Sequence, residues 1–293
     1  MTDRNYIKGI FFITTSAFFF ALMAVFVRLS GDLPFFQKAF FRNLISFIVS
    51  FVVVVRQVQK EGFDSIRIPK GSMKYLFLRS FGGTFGLLGN FYAIDRLILA
   101  DASLLNKMSP FWTVLFCLLL LHEKIRLIPL MAIITAFCGA ILVVKPSFNF
   151  SETLPSLCGF LSGLGAGLAY ACLRKLSTQK CSGTVIVLFF STFSILFTIP
   201  FMIFKFTPMS MTQFLFLILA GTAAAAGQFS ITAAYFHAPA SKISIFDYCQ
   251  IIFCASFGFF IFDQKPDLLS LCGYIIIVGM AVFNFFYQKK QQE

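Results

Sequence analysis

The chain of 293 residues is 58% hydrophobic, carries only 12% charged residues and has a formal net charge of +12. Soluble domains carry about 25% charged residues, so this composition excludes an ordinary soluble protein and predicts an integral membrane protein. In a membrane protein, lysine and arginine residues hold loops on the cytoplasmic side. The basic excess is therefore explained without nucleic-acid binding.

Ten apolar stretches follow one another along the sequence, and each is close to the roughly 20 residues that a helix needs to cross a bilayer. Because five is odd, a second set of five would cross the membrane in the opposite sense to the first. We therefore predict an all-α integral membrane fold of ten transmembrane helices, arranged as two inverted five-helix repeats over residues 1–146 and 155–293. The predicted spans are 9–28, 35–55, 75–94, 98–121, 127–144, 156–173, 184–204, 213–234, 243–262 and 268–287.

The distribution of basic residues predicts the orientation of the chain. With both termini in the cytoplasm, 16 of the 24 lysine and arginine residues fall on the cytoplasmic side, many of them in or near the polar loop 56–74. This bias follows the positive-inside rule. We therefore expect a multi-pass protein of a bacterial-type cytoplasmic membrane with both termini inside.

Motifs of enzymes and cofactor sites are missing from the sequence. It contains no H-E-x-x-H, no glycine-rich phosphate loop and no G-x-S-x-G. Its eight cysteines form no C-x-x-C pair, and nearly all lie in apolar stretches, so they are expected to pack within the membrane. We predict no enzymatic activity, no ATP hydrolysis, no metal and no cofactor.

Two ionisable residues inside predicted spans stand out, because a charged side chain at the bilayer centre costs at least about 2.5–3.5 kcal/mol. Lys107 and Asp247 align when the second half is shifted by 140 residues, a shift that also aligns Glu123 with Asp263. They are candidates for substrate binding or for a charge exchange during transport. The alternative is that each reaches the nearer interface or forms a static pair.

Further candidates are polar or aromatic residues on helix faces. Arg42 lies inside the second span and is interpreted as an anion contact or as a side chain that reaches the outer headgroups. Arg79, at the start of the third span, is interpreted as a topology anchor, and Glu123 as part of a local ion pair. Helical spacing places Asn90 on a face with small residues and groups Gln228 with Thr232 and Tyr235, while Trp112 lies in mid-span. The candidates for the cavity lining are therefore Asn90, Gln228, Tyr235 and Trp112. The alternative for Asn90 and Gln228 is that they hydrogen-bond to neighbouring helices and do not contact a substrate.

The sequence resembles the EamA domain of the drug/metabolite transporter superfamily. The resemblance rests on Tyr92-Ala93-Ile94, Ala100 to Ser103, Ser109-Pro110-Phe111, Glu123 and Gly139, together with Arg42 in the second helix. In the second half Gln250 stands where the first copy has Pro110, and Asp263 replaces the usual glutamate. The resemblance implies a ten-helix inverted-repeat carrier with a central cavity, to which Gln250 is added as a candidate.

These observations predict a secondary-active carrier for a small organic metabolite that works by alternating access. A basic, polar cavity with one acid favours a zwitterionic or anionic solute such as an amino acid or a derivative. A multidrug exporter, which would prefer an acidic cavity, is the first alternative, and a membrane-embedded enzyme or an assembly subunit is a more distant one. A coupling ion (proton or sodium), the lipid bilayer and a second copy in a homodimer are the other partners considered.

Overall fold

The computed structural model describes residues 3–94, 96, 105–123, 126–144, 153–263 and 267–290, and the regular structure within them is entirely helical. One short 3₁₀ turn lies between the second and third helices, at Phe63–Ile66. The long helices are α1 (Asp3–Leu29), α2 (Phe35–Glu61), α3 (Met73–Ile94), α4 (Ser109–Leu121), α5 (Leu127–Val144), α6 (Thr153–Thr178), α7 (Gly183–Lys205), α8 (Met211–His237), α9 (Ala240–Phe262) and α10 (Leu268–Lys290).

Seven of these helices are long and apolar enough to cross a bilayer: α1, α2 and α6 to α10. The protein is therefore a multi-pass membrane protein. Two of the others, α4 and α5, are apolar but shorter over their described residues. Helix α3 has 22 residues but is less apolar, because it contains four glycines together with Arg79 and Asn90. Its polar side chains face the interior of the bundle, as described below.

Several helices extend beyond the predicted apolar stretches. Helix α2 continues to Glu61, where a span ending at residue 55 was predicted, and α1 begins at Asp3 and not at residue 9. Polar residues that flank an apolar stretch can continue the helix outside the hydrocarbon layer, where water satisfies their charges. Hydropathy therefore predicts the membrane-crossing part of a helix and underestimates the helix itself.

Two helices are irregular at the positions of the charged candidates. The described part of the predicted fourth span begins at residue 105, and Lys107 lies in a turn directly before α4. Helix α9 consists of a single α-helical turn, then a 3₁₀ segment at Ser244–Tyr248 that contains Asp247, and then an α-helix from Cys249. Interrupted helices of this kind expose backbone groups and polar side chains where they line a cavity.

Helices from the two halves of the chain pack against each other. The main contacts pair α3 with α6, α1 with α8, α2 with α7, and α5 with α10. Lesser contacts pair α4 with α6, α1 with α9, α3 with α7, and α2 with α8. The set of contacts stays the same when each helix is replaced by the helix five positions earlier or later in the chain. The contact between α3 and α6, for example, then becomes the contact between α8 and α1. The core is thus built mainly between the halves and not within them.

The C-terminal ends of α4 and α9 are also alike. Each helix is followed by a non-glycine residue in the left-handed conformation, His122 with φ 55° and Asp263 with φ 52°. Such a residue lets the chain turn sharply after a helix while its N–H still bonds to the last turn. The helix that precedes α5 and the helix that precedes α10 therefore end with the same backbone conformation.

Small residues bring α3 and α6 into backbone contact. A Cβ atom added to Gly165 would lie 2.7 Å from the carbonyl oxygen of Gly82 and 3.1 Å from the backbone nitrogen of Gly86. Because these are main-chain atoms, no rotamer change could make room for a side chain. Close approach of this kind lets membrane helices gain dispersion energy where the hydrophobic effect does not drive them together.

We predict that Gly165→Val destabilises the protein by about 1–3 kcal/mol or more, because α3 and α6 must separate to admit the side chain. The measurement is thermal unfolding of the detergent-purified protein. The matched control is Gly279→Val on α10, where an added Cβ would meet no atom within 4 Å. Equal melting temperatures for the two variants would contradict the proposed backbone contact.

Candidate substrate cavity

A cavity of about 100 Å³ lies within the bundle, and residues of both halves line it. Most of its polar lining comes from α2, α3, α8, α9 and the turn before α4. Six residues predicted from the sequence contribute to it: Arg42, Asn90, Lys107, Gln228, Asp247 and Gln250. Arg79, Tyr170 and Phe190 also line the cavity.

Lys107 and Asp247 form a buried ion pair across the cavity. The Lys107 Nζ lies 3.0 Å from Asp247 Oδ2, and the two residues are 6% and 3% exposed. The same ammonium donates to Gln250 Oε1 at 2.7 Å and to the Asp247 carbonyl oxygen at 3.4 Å. The other carboxylate oxygen, Asp247 Oδ1, is buried and has no hydrogen-bond partner. The two residues do not extend to the membrane interfaces; they neutralise each other inside the protein.

Arg79 is a buried cavity residue, and its interpretation as a topology anchor was wrong. Its side chain is 1% exposed, its Nη2 donates to Gln228 Oε1 at 2.6 Å, and its guanidinium carbon lies 4.0 Å from the centre of the Phe190 ring. Gln228 thus bridges α3 and α8 by holding this arginine. The Nε atom of Arg79 is buried and has no hydrogen-bond partner.

Arg42 lies on the same aromatic ring from the direction of α2. Its guanidinium carbon is 5.8 Å from the centre of the Phe190 ring, and the residue is 2% exposed. Its Nη1 donates to Asn43 Oδ1 at 2.8 Å, while the Asn43 amide is held by Ser194 and by a backbone carbonyl. The alternative that Arg42 reaches the outer headgroups does not fit this burial. Its Nε is likewise without a partner.

Phe190 and Gly83 make the position of the arginines possible. A cation within about 6 Å of an aromatic centre is attracted to the face of the ring, and Phe190 offers that face to both guanidinium groups. A Cβ atom at Gly83 would lie 2.5 Å from Arg79 Nη1 and 2.9 Å from the Phe190 ring. A glycine at position 83 therefore leaves the space that the Arg79 guanidinium occupies.

The remaining predicted residues have different surroundings. Asn90 borders the cavity with a buried Oδ1 that has no partner. Trp112 lies outside the lining and packs against α6, with its ring edge-to-face to Phe160 at 5.8 Å. Tyr235 also lies outside the lining, stacked at 5.6 Å on Tyr170, which does line the cavity.

A second layer of contacts lies behind the two stacked tyrosines. Arg174 Nε donates to Glu123 Oε1 at 2.8 Å, and Arg174 Nη1 donates to the Tyr235 carbonyl oxygen at 3.2 Å. Both charged side chains of this pair are nearly one-fifth exposed. The acid predicted to form a local ion pair thus pairs across the bundle, and it joins the end of α4 to α6 and α8.

The cavity carries an excess of positive charge. Neither Arg42 nor Arg79 forms an ion pair with a carboxylate of the described residues, whereas Lys107 is matched by Asp247. Two guanidinium groups with unsatisfied donors thus border one small cavity in the interior of a membrane protein. Intramembrane charges of this kind are a signature of a substrate or ion pathway.

The fold and this cavity are those expected of a multi-pass membrane transporter. A model of the EamA-like transporter family matches residues 7–145 and confirms the resemblance predicted from the sequence. The match covers nearly all of the first predicted repeat.

Relatives extend the similarity to nearly the whole chain. The pseudopaline exporter CntI of Pseudomonas aeruginosa is 29% identical over 277 residues, which is 94% of this chain and 95% of that protein. An uncharacterized transporter of Helicobacter pylori is 27% identical and covers 92% of both chains. The mouse solute carrier family 35 member G1 is also 27% identical, over 92% of this chain and 76% of its own length. These names agree with the prediction of a transporter that is not an enzyme.

One solved crystal structure has a similar fold. It superposes with a TM-score of 0.81 at 14% sequence identity and covers 97% of this chain and 99% of its own. At this level of identity the similarity concerns the arrangement of the helices and gives no information on the substrate.

We predict that Lys107→Met destabilises the protein by about 3–5 kcal/mol, because it leaves the Asp247 carboxylate buried without a counter-ion. The double variant Lys107→Met/Asp247→Asn should recover most of that loss, which thermal unfolding in detergent can measure. The more exposed pair serves as the control, and Arg174→Met should cost less. Additive losses in the double variant would contradict a direct interaction.

Proposed function

We propose that the protein is a secondary-active carrier that moves a small organic metabolite with an anionic group across the cytoplasmic membrane. The observation that supports this most strongly is the cavity between the halves, where, among the residues that the structure describes, three buried cations face one carboxylate. A solute that enters this cavity is surrounded by fixed hydrogen-bond donors in a medium of low dielectric constant. Such donors favour negative charge far more there than in water.

The same charge balance argues against a multidrug exporter for cationic compounds. A cationic solute would meet Arg42 and Arg79 without an intervening carboxylate among the described residues, and the one acid of the lining, Asp247, is already paired with Lys107. Like charges at close range in a buried site repel strongly. An amino acid or a derivative with a carboxylate remains the candidate substrate class.

Inverted repeats over residues 1–146 and 155–293 would explain how the cavity alternates between the two sides. The proposal is supported by helix contacts that are unchanged when the halves are exchanged, and by the matching left-handed residues after α4 and α9. Between α3 and α6 the contact is made by glycines. Surfaces without interlocking side chains can slide with little resistance from packing, which suits rocking of one half against the other.

The ion pair joins the two proposed repeats at their helix interruptions. Lys107 belongs to the first repeat and Asp247 to the second, and each lies in an irregular backbone segment. Because the backbone is already irregular there, these segments could rearrange during transport without the loss of regular helical hydrogen bonds. We propose that the pair holds the halves together around the solute, and that the free Asp247 Oδ1 accepts a hydrogen bond from it.

Outward transport is the direction that we propose, because one relative over nearly the full length is named an exporter. The energy would come from a solute or ion gradient, with a proton or sodium as the candidate coupling ion, and not from ATP. A homodimer remains a prediction from the sequence.

We predict that the purified protein in liposomes moves its substrate down a gradient in the absence of ATP, and that Arg42→Gln and Arg79→Gln each reduce the initial rate at least about tenfold. The reason is the loss of a hydrogen bond from a buried charged donor, which contributes about 1.5–3 kcal/mol. Arg56→Gln is the matched control, since Arg56 is exposed on the same helix as Arg42. Normal rates in both cavity variants at equal protein levels would refute the proposed site.

We also predict that both termini are cytoplasmic. Reporter fusions after Glu293 and in the segment between α2 and α3 should both score as inside, because 16 of the 24 basic residues then lie on the cytoplasmic side. An external carboxyl terminus together with an internal α2–α3 segment would be incompatible with ten crossings.

A further inference from the structure

The charge of the cavity indicates which class of solute the protein carries. This inference rests on the proposed carrier function. We propose that the substrate is a dianion, a dicarboxylate or a phosphate monoester, whose two negative charges are held by Arg42 and Arg79 at the face of Phe190. The two chemistries share the same arrangement of charge, and the experiment below distinguishes them.

Two of the cavity's buried cations have no counter-charge among the described residues. Lys107 and Asp247 form a pair that is neutral as a whole, with a third partner in the neutral Gln250. Within the described part of the chain, Arg42 and Arg79 are hydrogen-bonded only to neutral side-chain amides, those of Asn43 and Gln228. A buried charge is stable when a counter-charge is added, and a site with two uncompensated cations is best neutralised by a ligand with two negative charges.

The second step is the availability of hydrogen-bond donors. A guanidinium group has five N–H donors, and each of these arginines uses one of them in a hydrogen bond to an amide. Their Nε atoms are buried without a partner. Carboxylate and phosphate oxygens match the fork geometry of guanidinium, which binds them through two parallel hydrogen bonds. Both arginines border the cavity.

The third step is the distance between the two guanidinium groups. Their Cζ atoms lie 4.0 and 5.8 Å from the centre of the same Phe190 ring, so they cannot be farther apart than the sum of those distances. Guanidinium groups within this upper limit can be bridged by two carboxylates on a short carbon chain or, where they lie closer together, by the oxygens of one phosphate. The ring attracts both guanidinium groups, so part of the cost of ordering them precedes binding.

A simple zwitterionic amino acid fits the charge balance less well. Its carboxylate would compensate one arginine, while its ammonium would need Asp247, which already neutralises Lys107. The cavity would keep its excess of two positive charges after binding. A dianion leaves none, and a hydroxyl or amide of such a solute could still donate to the free Asp247 Oδ1.

The test measures affinities of the purified full chain at pH 7.5 for solutes of similar size that differ in charge. Succinate and glycerol 3-phosphate carry two negative charges, butyrate carries one, and 4-aminobutyrate and succinamide carry no net charge. At least one dianion should bind about tenfold or more tightly than butyrate and 4-aminobutyrate, since one further charged hydrogen bond is made. Tighter binding of succinate indicates a dicarboxylate, and tighter binding of glycerol 3-phosphate indicates a phosphate monoester.

Variants separate charge recognition from a structural role. Arg42→Gln and Arg79→Gln should each lower the affinity for the preferred dianion about ten- to hundredfold, and the affinity for butyrate by less, so that the preference shrinks. Arg79→Lys, which keeps the charge but loses the fork of donors, should reduce the preference less than Arg79→Gln does, and Arg56→Gln should change nothing. If a charge-removing variant does not fold, Gly83→Ala provides a second test, because it displaces Arg79 without removing its charge.

Two outcomes would overturn the inference: equal binding of the dianions and butyrate or 4-aminobutyrate by the unmodified protein, or an unchanged preference in both glutamine variants. Uptake of a zwitterionic or neutral solute by liposomes, without dianion binding, would refute the dianion and leave the carrier function intact. A failure of every probe to bind, together with a failure of solute uptake, would count against both.

Discussion

The burial of charge inside an apolar bundle is the constraint on which the rest of the structure depends. Every charged side chain there must find a counter-charge, a set of hydrogen bonds or a ligand. Lys107 and Asp247 meet this requirement by pairing with each other across the two halves. Arg42 and Arg79 meet it only in part, through two amides and one aromatic ring. The arginines therefore differ from the Lys107–Asp247 pair, because their charges are not compensated by a carboxylate of the described residues.

Close packing of small residues creates the space in which these charges lie. Gly83 leaves room for the Arg79 guanidinium, and Gly82 and Gly86 bring α3 against the backbone of α6. The same glycines, with Arg79 and Asn90, leave α3 outside the set of described helices that are long and apolar enough to cross a bilayer. Its position in the membrane therefore depends on contact with α6 and α7 more than on its own hydropathy. Helix α3 thus contributes the most residues to the cavity lining, and it depends on its neighbours to remain in the membrane.

The sequence predicts the positions of most helices because a segment that crosses a bilayer must be apolar, and hydropathy detects such segments directly. For example, the fifth apolar stretch, 127–144, coincides with α5. It also pointed to Lys107 and Asp247, since their cost inside a bilayer demands a partner and the alignment of the halves suggests one. The burial of Arg79 was not predicted, because an arginine at the fifth residue of the predicted span 75–94 gives the same signal as a topology anchor. Its spacing of four from Gly83 was an available sign, but many glycines have such neighbours. Trp112 could not be placed because the backbone contact that draws it towards Gly167 depends on three-dimensional packing.

The two kinds of charge in the cavity suit two different tasks in a transport cycle. A neutral ion pair can remain buried whether the solute is present or absent, so Lys107 and Asp247 can join the halves throughout the cycle. The arginines are different, because closing the cavity around them without an anion leaves two charges in a medium of low dielectric constant. In a carrier built this way, an anionic solute lowers the cost of closing. Selectivity for charge and coupling of movement to binding would then have the same electrostatic origin.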